Sequence, residues 1–225
     1  NEKGFAIHML YLNATNFGPR DTSKLGVHAG LWGQYLLDNA ASVGEALELM
    51  TGIQPVMVAV HGVKATVHLA IEDAAGESAI IEYIGDKPVV HHGRQYRVMT
   101  NDPTYDEQLA NLARYEFTNA TRQTPLPGNV DPRDRFVRSA YYLHMLPEPR
   151  SEREAIAGIL AIARNASVPF GAPNNAPGTL YNTEYRTAID LTNRRYFFDR
   201  LQIELERSKL RRLKTARSTT LDGVD

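Results

Sequence analysis

The chain of 225 residues contains no cysteine. That absence excludes disulfides, thiolate metal sites and a cysteine nucleophile within the chain itself. Net charge is almost absent too: 25 Lys and Arg stand against 26 Asp and Glu. Such a balance leaves no electrostatic footprint for nucleic acid. No apolar run approaches the ~20 residues a membrane-spanning helix needs, so no membrane partner is expected. There is no G-x-S-x-G elbow and no phosphate-cradling glycine loop. Tryptophan occurs once, and with the tyrosines it reads as core or pocket wall rather than a platform for stacked bases. The opening "NEKGFAIHMLYL" has no initiator Met, no basic n-region and no apolar signal. It enters a strand-like run at once, which predicts that this chain is the later part of a longer protein. Compartment stays open between bacterial periplasm and cytoplasm.

What is present reads as strands, then helices, then strands. Phe5 to Leu12 is strand-like. "HAGLWGQYLLDNA" and "SVGEALELM" read as two short helices, the second opened by a capping box of Ser42 and Glu45. "VMVAV" reads as a short strand. "KATVHLAIED", "SAIIEYI", "KPVVHH" and "RQYRVMT" follow, with turns at Ala75-Gly76 and Gly85-Asp86, and suggest an antiparallel meander. Val67, Leu69 and Ile71 alternate with His68, Ala70 and Glu72 in the pattern of a half-buried strand. Three helices come next: "TYDEQLANLARYEF", "RDRFVRSAYYLHML" and "SEREAIAGILAIARNA", the last with a capping box of Ser151 and Glu154. "TEYRTAIDL" and "RRYFFDR" read as a hairpin across Thr192-Asn193. The class is α+β, antiparallel sheet with packed helices, in one domain over 1–200. Residues 201–225 form a basic tail, read as a solvated helix or a disordered segment.

Seven histidines invite a metal reading. None is paired at H-x-x-x-H spacing, and the adjacent His91 and His92 point to opposite faces of a strand. They read as solvated or hydrogen-bonded side chains, with no metal and no cofactor. Two polar positions stand out. Asn101, in "VMTNDPTYDEQLANL", follows an apolar run where a strand ends; it is either a turn residue or a donor aimed at a reacting carbonyl. Arg135, in "DPRDRFVR", lies near the start of a helix, where a cation opposes the helix dipole. Either it pairs with Asp131 or Asp134, or it serves an anionic group.

These same stretches, "VMTNDPTYDEQLANL" and "LPGNVDPRDRFVRSAYYLHMLP", resemble the choloylglycine hydrolase family, which includes bile salt hydrolases and penicillin V acylases. "NEKGFAIHMLYL", "HLAIEDAAGESAIIEYI" and "YRTAIDLTNRRYFF" fit it in the same order, over residues 1 to 198. The resemblance implies an N-terminal-nucleophile hydrolase with an αββα sandwich, two antiparallel sheets between helical layers. It implies hydrolysis of a linear amide through an N-terminal Cys. By motif, Asn101 aligns with the family's oxyanion-hole Asn and Arg135 with its active-site Arg. Tyr11 falls where bile salt hydrolases place an Asn and penicillin V acylase-like members an aromatic residue. Tyr11 is therefore either a substrate-binding ring or a strand residue facing the core.

The sequence departs from the family at both ends. The family's Cys, and the Asp and Arg close to it, are not in this chain, and Asn1 is no nucleophile. After Phe198 the pattern breaks into "DRLQIELERSKLRRLKTAR". Two readings result. One is an N-acyl amide hydrolase whose Cys lies upstream, acting on penicillin V, another N-acyl amide or an acyl-homoserine lactone, with conjugated bile salts as the runner-up. The other is a catalytically dead binding module. The resemblance also implies a homo-oligomer, commonly a tetramer.

Overall fold

The computed structural model describes residues 1–59, 64–172 and 182–200. The expected basic tail, 201–225, lies outside the described residues. Strands β1 (Phe5–Tyr11), β4 (Val67–Asp73), β5 (Ser78–Ile84) and β6 (Lys87–His92) form one antiparallel sheet in the order β1-β4-β5-β6. Tight turns set its register. Gly85 and Asp86 both take positive φ, 57° and 69°, and close a two-residue hairpin between Ile84 and Lys87. That is the backbone a right-twisted hairpin asks for.

One face of the sheet carries Phe5, Ile7, Met9, Leu69, Ile71, Ala79, Ile81 and Tyr83. They pack against Trp32 and Leu36 of helix α1 (Trp32–Asn39) and Val43 and Ala46 of helix α2 (Val43–Leu49). Trp32 is wholly buried, a core residue as its sequence context suggests, edge-on to Phe17 and Tyr83. Burial pushes the Tyr83 phenol up to about 12. Gly33 lets α1 lie close: a Cβ there would stand 3.3 Å from Met9 and 3.4 Å from Ile7.

The opposite face is covered in part: the alternation read in β4 holds at Ala70 and Glu72, which are partly exposed, and fails at His68, which is buried. Ile80 packs on Tyr105 and Phe136, from helices α3 (Tyr105–Leu112) and α4 (Pro132–Met145). His68 and Glu82 are buried on that side, Nδ1 to Oε1 at 3.0 Å. Both Glu82 oxygens also accept from the Tyr105 backbone N–H, at 3.1 and 3.0 Å. A buried carboxylate is tolerable when donors surround it in this way. Here it fastens the start of α3 to the sheet.

Both expected Ser-Glu caps form with the same offset. Ser42 and Ser151 each accept from the backbone N–H three residues on. Each glutamate reaches one residue further back than a capping box requires, to the N–H of Ala41 and of Arg150. Helix α5 (Glu152–Asn165) lies against β7 (Tyr185–Asp190), which pairs with β8 (Arg195–Arg200).

Four local expectations are corrected. Strand β3 is Ile53–Val56 rather than "VMVAV", and it pairs in parallel with β2 (Leu25–His28), which sequence reading missed. Leu25 and Gly26 are exposed and carry no alternating pattern, so nothing in the sequence marked that strand. "RQYRVMT" is not a strand: after Gly93 the chain turns, and 96–100 has no ladder partner among the described residues. The α3 segment is shorter than read, ending at Leu112. The β7–β8 connection spans 191–194, not two residues, because the residue at positive φ is Arg194, at 59°. The Asp190 carboxylate accepts from the Asn193 N–H and side-chain amide, which hold it below the ordinary carboxylate value.

Candidate active site

Strand β1 ends at Tyr11, opposite Val67 of β4, and leaves the Tyr11 side chain 57% exposed. The segment between β6 and α3 comes back to that strand end. Asn101 donates from Nδ2 to the Tyr11 carbonyl at 3.0 Å. Next to it the Asp102 carboxylate accepts from the Asn13 backbone N–H at 2.9 Å and from Asn13 Nδ2 at 3.1 Å. Two consecutive side chains thus stitch residues 101–102 to the end of β1.

Helix α4 supplies the third group. Asp131 caps it by accepting from the Arg133 N–H, and Pro132 occupies its first turn, where a missing N–H loses nothing. Arg135 follows in that turn. Its Nε donates to the Val130 carbonyl at 2.9 Å and its Nη2 to Asn101 Oδ1 at 3.0 Å. Thr100 Oγ1 donates to the Pro132 carbonyl at 3.0 Å, a second tie between the two segments.

This network admits one orientation of the Asn101 amide. Its oxygen faces a guanidinium, which can only donate; its nitrogen faces a carbonyl, which can only accept. A primary amide nitrogen carries two hydrogens, and the Tyr11 carbonyl uses one. The other is available to an oxygen brought to the site.

Tyr11, Asn101 and Arg135, chosen from positions far apart in sequence, are therefore brought together. Asn101 does not end a strand; it sits in an irregular loop. Thr100, Asp102 and Asn13 were not singled out from sequence, and the alternation of polar and apolar residues there gives no signal of them. No group of three or more His, Cys, Asp or Glu able to hold a metal is found among the described residues. No described helix is long and apolar enough to cross a membrane.

The family model for linear amide C–N hydrolases of the choloylglycine hydrolase family matches residues 1–214. The chain belongs to the choloylglycine hydrolase family. Penicillin V acylase from Pectobacterium atrosepticum is 36% identical over 217 residues, covering 88% of this chain and 57% of that protein. The structure of penicillin V acylase from Agrobacterium tumefaciens superposes with a TM-score of 0.75 at 40% identity, covering 89% of this chain and 61% of that one. A variant of conjugated bile acid hydrolase from Clostridium perfringens superposes at 0.78 with 21% identity, over 91% of this chain and 69% of that one, a likeness of fold. The α+β fold is that of the N-terminal-nucleophile hydrolases in this family. The chain spans about three fifths of the two penicillin V acylases.

Proposed function

We propose that this choloylglycine-family chain is the larger part of an N-acyl amide hydrolase, with penicillin V, another N-acyl amide or an acyl-homoserine lactone as substrate and a Cys nucleophile supplied from upstream. The observation that carries the reading is the Asn101 amide, locked by Arg135 on one side and by the Tyr11 carbonyl on the other, with one N–H left over.

The chemistry follows from those groups. The α-amino group of an N-terminal Cys, with pKa about 7.7–8.0, takes the thiol proton. The thiolate attacks the amide carbonyl carbon, and the C=O electron pair moves to oxygen. The remaining Asn101 N–H meets that oxygen as its charge develops. Arg135 keeps the amide turned and adds positive charge beside it. As the C–N bond breaks, the proton held by the α-amino group passes to the leaving amine. Water then attacks the thioester, and the acid departs with the thiol restored. The exposed Tyr11 ring offers a flat apolar surface for an aryl or alkyl acyl group.

Conjugated bile salt hydrolysis is the second reading, favoured by the match to the bile salt hydrolase/transferase of Clostridium perfringens at 24% identity. We further read the whole protein as a homo-oligomer, a tetramer by family resemblance, to be checked by light scattering. The deciding experiment expresses the complete gene product and assays phenoxyacetyl, fatty-acyl and cholyl amides side by side. Hydrolysis of the first two with higher kcat/KM supports the reading. Preference for the cholyl amide supports the second, and no hydrolysis of any supports a binding module without catalysis.

A further inference from the structure

The loop that carries Asn101 is gripped from below by one buried side chain. Gln108 lies one turn into α3 and is 1% exposed. Its Nε2 reaches Thr100 Oγ1 at 3.1 Å, the Asp102 carbonyl at 3.1 Å and, at the long limit of 3.4 Å, the Asn101 carbonyl. These acceptors lie before, after and at the candidate catalytic residue. Thr100 Oγ1 passes the contact on to the Pro132 carbonyl in the first turn of α4. The hydrogen-bonded path thus runs from α3, through the backbone flanking Asn101, to the helix that bears Arg135.

The amide is not there for packing alone. Gln108 Oε1 is buried with no hydrogen-bond partner among the described residues. A half-satisfied buried amide is a worse core residue than an apolar side chain of equal volume. What Gln108 provides that Met or Leu cannot is a pair of donors for the loop. The base of the grip is itself fixed, because Glu82 binds the Tyr105 N–H one turn earlier on α3.

We propose that Gln108 is a positioning residue for amide hydrolysis: it sets the backbone at Thr100–Asp102, and so the direction in which the Asn101 amide points. It touches no reacting atom and acts only through Asn101. The proposal rests on the N-acyl amide hydrolase reading.

The test uses the complete gene product in four forms: unsubstituted, Gln108→Met, Asn101→Ala and the double variant. kcat, KM and thermal unfolding are measured for each on a phenoxyacetyl amide. Met keeps the length and most of the volume of Gln while removing the donors. Gln108→Met is expected to lower kcat about 10–100-fold while KM stays within about threefold, the scale of a misplaced catalytic group. In the Asn101→Ala background the same substitution is expected to change kcat by less than about threefold, because the group it places is gone. An unchanged kcat overturns the proposal, as do losses that multiply in the double variant. If Gln108→Met does not fold, Gln108→Glu, which keeps the shape and replaces Nε2 by an oxygen, is read by the same two criteria. If the unsubstituted protein hydrolyses nothing, the hydrolase reading fails, and a crystal structure of the variant decides the positioning claim. Loss of the Asn101–Tyr11 and Asn101–Arg135 contacts then supports it, and their retention overturns it.

Discussion

Arg135 Nη2 donates to Asn101 Oδ1 at 3.0 Å, and that bond fixes which end of the Asn101 amide faces the end of β1. With the oxygen turned to the guanidinium, the nitrogen must face the Tyr11 carbonyl, which it does at 3.0 Å. Arg135 is held in turn through its Nε by the Val130 carbonyl, just before α4 begins. A cation in the first turn of a helix opposes the dipole by a few tenths of a kcal/mol, ~0.3–1 at an exposed site. The two hydrogen bonds give that cation partners at the start of α4.

Asn101→Ala removes the amide without touching the α3 or sheet cores. In the complete protein, kcat is expected to fall ~10²–10³-fold with a smaller change in KM, the scale seen for one lost oxyanion donor. Thermal unfolding is expected to shift little. Steady-state kinetics with an undiminished kcat would remove Asn101 from the chemistry.

Arg135→Lys keeps the charge and loses the planar fork that serves Val130 and Asn101 from two nitrogens at once. A single ammonium cannot reproduce both contacts. Activity is expected to drop about 10-fold or more, since misorienting a catalytic donor by a fraction of an ångström is costly. Near wild-type kinetics would show that charge alone suffices.

The His8–Glu72 pair on β1 and β4 gives a pH prediction. The hydrogen bond to Glu72 raises the His8 pKa above its ordinary 6.5, against an opposing effect of burial. The folded state therefore binds the His8 proton more tightly than the unfolded chain. Its stabilising contribution is full below the unfolded value and fades as pH rises through the folded one. Both side chains are more than a third exposed, so the contribution is small. Glu72→Gln is expected to lower the His8 titration midpoint, read by NMR. It is also expected to reduce thermal stability more at about pH 5.5 than at about pH 8.5. An unmoved midpoint would show that Glu72 does not set it.

The long periodic elements were legible in the sequence because their patterns report burial directly. β1, β4, β5 and β6, with α4 and α5, fall close to where alternation and capping residues put them. β2 was not legible: it is a short, mostly exposed strand whose partner is parallel and 28 positions away, from Leu25 to Ile53. The Arg94–Thr100 run looked like a strand in part because Val98 and Met99 are apolar. Their apolarity serves packing beside Ile80 and Phe136 instead of a ladder. Asn101 and Arg135 stood out as an amide after an apolar run and a cation at a helix start, but their candidate roles, and Tyr11 itself, were legible only through family motifs. No period or spacing predicts that an amide 90 positions from Tyr11 will bond its carbonyl. Gln108 was hidden for a related reason: a glutamine in an amphipathic helix reads as a surface residue until its buried acceptors are seen.

Substrate preference is the last expectation, and it turns on the Tyr11 side chain. Its backbone is committed to the sheet and to Asn101, so a substitution at this position alters the ring while the carbonyl contact stays. The residue is 57% exposed at the strand end that Asn101 reaches through the backbone carbonyl, which leaves the ring free to lie flat against an aryl or alkyl acyl group. Replacing Tyr11 by Asn removes most of the apolar surface and adds hydrogen-bond partners. Tyr11→Asn in the complete protein is therefore expected to lower kcat/KM for a phenoxyacetyl amide about 10-fold, which corresponds to roughly 1.4 kcal/mol of lost apolar contact. The cholyl amide is expected to lose less or to gain. Competition between the two substrates in one reaction measures the ratio directly. A ratio that does not move would show that the Tyr11 ring takes no part in choosing the acyl group.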